Sequence, residues 1–212
     1  MTSPRRALIL VDVQQEYVAG PLEIQYPPHA ESVPRIVAAI DAATAAGIPV
    51  VAVQHTAGEG APVFDPTSPT FELHPDVAAR RTDAWKSVLK QYGTVFAGTD
   101  VLTWLQEHDV DTITLVGYMT NNCILASAAE AETHALAAEV LSDATGAISI
   151  ANDAGSADAR TVHTTLMALF HSNFAAVATT DTWIQATVAG TVLPKSDLGS
   201  SAVGGAQRAA QA

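Results

Sequence analysis

Cysteine is nearly absent: Cys123 is the single one in 212 residues, so no internal disulfide can form. A packed core must then supply the stability, and a lone free thiol agrees with a reducing compartment. Basic side chains are scarce as well, with 10 Lys+Arg against 22 Asp+Glu and a formal net charge of −12. Such a surface excludes binding to a phosphate backbone, which needs clustered Lys and Arg, and it disfavours an anionic membrane face. No apolar run approaches the roughly 18 residues of a membrane span. The apolar stretch behind Arg5 and Arg6 is cut by Asp12, too early for the h-region of a signal peptide. Phosphate-cradling Gly-x-Gly-x-x-Gly and Gly-Lys-Ser/Thr motifs are missing, as is the Gly-x-Ser-x-Gly elbow of serine hydrolases. What is abundant is apolar surface, 48% of the residues, enough for one sizeable core. The composition describes a soluble, acidic, cytoplasmic globular protein.

Short apolar runs alternate with helical patterns. The runs are Ala7–Val13, Pro49–Gln54, Trp85–Lys90, Thr112–Gly117, Ala138–Asp143 and Ala175–Ala178. Most are continuous and β-branched, as expected of strands buried on both faces, whereas Trp85–Lys90 alternates and belongs nearer an edge. Helical spacing follows at Val33, Ile36, Val37 and Ile40, with Ser32 as cap and Gly47 as stop, and again over 100–108, 121–136 and 158–170. The alternation predicts a parallel sheet covered on both faces. Residues 195–212 are small and polar, and predict a loose tail. Thr56–Ala84 is longer than the roughly 12–15 residues of an ordinary connection and so predicts a functional loop at the carboxyl edge of the sheet.

Three residues in these runs could carry chemistry. Asp12 ends the first strand and points into the crevice at its carboxyl end. Lys90 ends the third, flanked by apolar residues, while Lys86 begins that strand and should face the opposite edge. Cys123 follows the fourth strand; with Thr120 as N-cap it falls in the first turn of a helix, whose partial positive charge favours a thiolate. The histidines give no metal pattern: His55, Asp65 and His74 are scattered through one loop without ligand spacing.

Three separated motifs then coincide. Asp12-Val13-Gln14, Lys90-x5-Phe96-x-Gly98-Thr99 and Gly117-x-x-Thr120-x-x-Cys123 resemble the isochorismatase-like cysteine hydrolases, as does Glu72–Asp76 ahead of the lysine strand. The likeness spans Ala7 to Ala186. It implies a three-layer α/β/α fold over residues 1–194 with a six-stranded parallel sheet in the order 3-2-1-4-5-6. It also implies an Asp12-Lys90-Cys123 triad, a cis peptide between Tyr118 and Met119, and an oxyanion hole from the Met119 and Cys123 amides. Gln14, Tyr17, His55 and Tyr118 become candidate substrate contacts, and a dimer or tetramer acting on a small molecule is expected. Metal-binding nicotinamidases of the family use Asp-x-His after the second strand; here that stretch reads Val53-Gln54-His55, so neither metal nor other cofactor is expected. An intact Cys123 favours hydrolysis of a carboxamide or related C–N bond. Vinyl-ether hydrolysis and a redox-sensing, non-catalytic role are the alternatives.

Overall fold

A computed structural model describes residues 3–211. Six parallel strands form one sheet: β1 (Arg6–Val11), β2 (Val50–His55), β3 (Lys86–Lys90), β4 (Thr112–Tyr118), β5 (Ala137–Gly146) and β6 (Ala176–Ala178), in the order β3-β2-β1-β4-β5-β6. A hairpin, Ile150–Asn152 with Gly155–Ala157, pairs only with itself. The helices longer than one turn are α1 (His29–Ala45), α2 (Val101–Glu107), α3 (Leu125–Ala131), α4 (Ala159–Leu169), α5 (Thr180–Ala189) and α6 (Leu198–Ala209).

Side chains alternate across each strand, so β1 feeds two cores at once. Ala7, Ile9 and Val11 pack with Val101 and Leu105 of α2 and Ala128 of α3. Leu8 and Leu10 pack with Ile36 and Ile40 of α1 and Trp183 of α5. Every β1 residue is buried, including Arg6, whose guanidinium pairs with the buried Glu139 carboxylate at 2.9 Å. Glu139 also accepts from the Thr114 hydroxyl and the Trp183 indole N–H, so the buried charges are well supplied with partners. β3 is an edge strand, with Val88 and Lys90 inward and Leu89 exposed.

Three local expectations change. Ser32 does not cap α1, which begins earlier, after Pro28; the Ser32 hydroxyl instead meets the Tyr118 hydroxyl in the interior at 2.7 Å. Thr120 does not cap a helix either. Residues Thr120–Ile124 form a wide π-type turn ahead of α3, and the Thr120 hydroxyl is turned to His163 Nδ1. The loose tail expected over 195–212 contains α6, because the Asp197 carboxylate caps it by accepting from the Ser200 N–H. The 56–84 segment is also anchored: Phe64, Leu73 and Val77 are buried, and the buried Glu16 carboxylate accepts from the Phe64 N–H and the Thr70 hydroxyl. No helix among the described residues is long and apolar enough to cross a membrane.

Candidate active site

The carboxyl ends of four adjacent strands meet at one point. Asp12 follows β1, His55 ends β2, Lys90 ends β3 directly opposite His55, and Cys123 lies in the turn after β4. Asp12 holds a left-handed backbone, φ +49°, which Asp tolerates better than most residues, and its N–H is anchored to Val53 O. Gly117 is required at the end of β4. Its φ is +105°, and a Cβ there would come within 2.1 Å of Val11 O. The Tyr118–Met119 peptide that follows is cis.

Asp12, Lys90 and Cys123 are drawn together in the interior, at 0%, 1% and 2% exposure. Lys90 Nζ lies 2.7 Å from Asp12 Oδ2 and 3.2 Å from Cys123 Sγ. Neither Asp12 oxygen receives a well-aligned hydrogen bond, so the carboxylate is held mainly by the nearby ammonium charge. Burial pushes the Asp12 carboxyl up to about 6, against the opposing pull of Lys90. Lys86 does face the other way, with its ammonium on the Asp100 carboxylate.

The thiol differs from the sequence-based expectation. A helix terminus and a lysine were expected to favour thiolate, but burial and the Asp12 charge push the Cys123 thiol up to about 12, overriding Lys90. Desolvation disfavours any charge in a site this dry, and the π-type turn replaces the capped helix start that would oppose it. The proton therefore rests on sulfur, next to an Asp12 carboxylate that is ionised at neutral pH.

The four expected substrate contacts divide. The Gln14 amide is spent on the backbone, donating to His55 O and Phe71 O and accepting from the His55 N–H, so it ties β1 to β2 and to the long loop. Tyr118 is likewise interior, its hydroxyl committed to Ser32. Tyr17 and His55 do border the site. The Tyr17 ring packs 5.5 Å from Phe64 and from Tyr118, and its phenol is raised by burial and by the charges of Asp12 and Cys123. The half-buried His55 ring stands edge-on to Phe64 and presents Nδ1 to Lys90 Nζ at 3.1 Å.

Two supports escaped sequence reasoning. Ser127 donates to Cys123 O and accepts from the Val95 N–H, clamping the Lys90–Thr99 loop to the cysteine turn. Its spacing of four residues from Cys123 on one helical face was the available signal. His163 accepts from or donates to Thr120 and bridges to Ser142 O, and nothing in its sequence context marked it. Among the described residues no three His, Cys, Asp or Glu side chains converge as a metal cluster.

A strand-end crevice holding buried Asp12, Lys90 and Cys123 on a six-stranded, all-parallel sheet places the chain among three-layer α/β proteins. Residues 6–182 match the Isochorismatase domain model, and the chain belongs to the isochorismatase-like hydrolase family. A crystal structure from Burkholderia xenovorans LB400, provisionally named an isochorismatase, is 44% identical, covers 99% of this chain and 100% of its own, and superposes with a TM-score of 0.95. A provisionally named isochorismatase hydrolase from Oleispira antarctica is 26% identical, covering 87% and 98%, with a TM-score of 0.77. The uncharacterized isochorismatase family protein YddQ of Bacillus subtilis is 28% identical over 84% of this chain and 98% of its own length.

Proposed function

We propose that the protein is a cysteine-dependent hydrolase of a small carboxamide or related C–N bond. The observation that carries this reading is the buried cluster in which Lys90 Nζ is 2.7 Å from Asp12 and 3.2 Å from Cys123. Asp12 removes the thiol proton as sulfur attacks the carbonyl carbon, and Lys90 balances the negative charge passing between them. The Met119 and Cys123 amides receive the oxyanion. The Asp12 proton leaves with ammonia or an amine. Water then attacks the thioester, returning its proton through Asp12 and the sulfur. Tyr17 and His55 border the reacting centre and set the shape of the substrate. The chain's acidity supports a small-molecule substrate rather than nucleic acid or membrane, and its lone thiol supports a cytoplasmic location.

The family name supports a second reading, vinyl-ether hydrolysis, in which Asp12 protonates carbon and sulfur forms no bond. An ammonia-release screen over small amides, run beside Cys123→Ala, separates the two. Amide turnover that disappears in Cys123→Ala, with an acyl adduct on Cys123 by intact mass, is the expected result. Full activity in Cys123→Ala on the best substrate overturns the amidase reading.

A further inference from the structure

Lys90 has more acceptors around it than protons to give. Its Nζ is 2.7 Å from Asp12 Oδ2, 3.1 Å from His55 Nδ1, 3.1 Å from Tyr92 O and 3.2 Å from Cys123 Sγ. An ammonium carries three N–H donors. Tyr92 O can only accept. His55 Nδ1 can accept only from a neutral ring protonated at Nε2. Burial and the Lys90 charge hold that ring down to about 4, so it is neutral throughout the physiological range.

We propose that His55 is a positioning residue: with Tyr92 O it locks two of the three Lys90 N–H groups, leaving the third for Cys123 Sγ and none for Asp12. The consequence for turnover rests on the cysteine-hydrolase reading; the hydrogen-bond arrangement does not. At rest that third N–H is directed at Cys123 Sγ, which keeps its own proton, and the Asp12 carboxylate is held by the ammonium charge without a well-aligned hydrogen bond. When the S–H bond breaks and an O–H bond forms on Asp12, the carboxyl becomes neutral and sulfur negative. The N–H already directed at Sγ then stabilises the new thiolate without moving. Lys90 keeps all its protons, and the net charge of the cluster is unchanged. Without the lock, a freed N–H could turn to the Asp12 carboxylate, making it a weaker base. Tyr17, with Glu16 beyond it, also faces this cluster, and its phenol stays neutral because burial and the Asp12 charge raise it.

Val53 stands where metal-binding relatives carry Asp, and the His55 nitrogen nearest the site is occupied by the lysine.

Two measurements test the proposal on the full chain. Nitrogen-15 NMR of histidine-labelled protein, with His55 assigned by its loss in His55→Asn, should show the Nε2–H tautomer at pH 7. An Nδ1–H tautomer or a protonated ring overturns the proposal, and this arm needs no turnover. The second compares His55→Asn, whose side-chain oxygen can replace Nδ1 as acceptor, with His55→Leu, which has none. On a substrate found by the amide screen, His55→Leu should lose kcat by about 10²-fold with KM nearly unchanged, the scale of misplacing a reacting group. His55→Asn should retain most of kcat. Equal losses in both variants, or a loss confined to KM, overturn the positioning role. Absence of any amide turnover defeats the functional reading instead, and the tautomer then decides the hydrogen-bond arrangement.

Discussion

Lys90 Nζ lies 2.7 Å from Asp12 Oδ2 with both side chains sealed from solvent. The pair makes the site electrostatically tense: burial penalises each charge, and each charge offsets the penalty on the other. Asp12 emerges with its carboxyl raised to about 6 and Cys123 with its thiol raised to about 12. The acid–base pair is therefore ordered, with a charged base beside a protonated nucleophile.

The first prediction is an acid limb. Asp12 must be ionised to accept the thiol proton, so kcat/KM should fall as pH drops through about 6 and level off above it. Asp12→Asn should slow the reaction by roughly 10²–10⁴-fold, the usual contribution of a positioned base. A flat pH–rate profile from pH 5 to 8 would remove Asp12 from that role.

The second concerns the thiol in the absence of substrate. With its proton held by burial, Cys123 should react slowly with iodoacetamide at pH 7, and faster as pH rises. Intact-mass time courses check this. Rapid labelling at neutral pH would mean that the positive charge of Lys90 dominates over desolvation.

Metal removal provides the third. Val53 leaves His55 without the acidic partner found in metal-binding relatives, and Lys90 already occupies its Nδ1. Hydrolysis should survive prolonged chelation, and elemental analysis should find no stoichiometric zinc, manganese or iron. A chelated, inactive enzyme restored by one equivalent of metal would revive the nicotinamidase type of chemistry.

The fourth addresses the fold. Arg6 and Glu139 form a buried pair at the amino edge of the sheet, with Thr114 and Trp183 also bonded to the carboxylate. Glu139→Gln leaves the Arg6 charge buried without its counter-charge and should cost about 3–5 kcal/mol in urea unfolding. Activity in the absence of denaturant should persist, since the site lies at the other end of the strands. A loss below 1 kcal/mol would show that the pair is compensated by water.

The strands and their parallel pairing were legible in the sequence because they rest on local rules, and the coincidence of three separated motifs marked Asp12, Lys90 and Cys123. Continuous β-branched runs make buried strands, and Asp12, Lys90 and Cys123 stand at or just past strand ends. Gly117 sits where only glycine can approach Val11 O. Position along the strand also marked Lys90 apart from Lys86. Other features were decided only by tertiary packing. Ser32 and Thr120 carry the side chains of helix caps, yet interior partners, Tyr118 and His163, claimed their hydroxyls. Gln14 and Tyr118 looked available to substrate until the backbone and Ser32 used their polar atoms. The protonation order of the site was the furthest from view. A helix terminus and a neighbouring lysine are visible in sequence, but the desolvation that outweighs them is a property of everything packed around Cys123. Burial sums over contacts from many distant segments, and no local pattern encodes that sum.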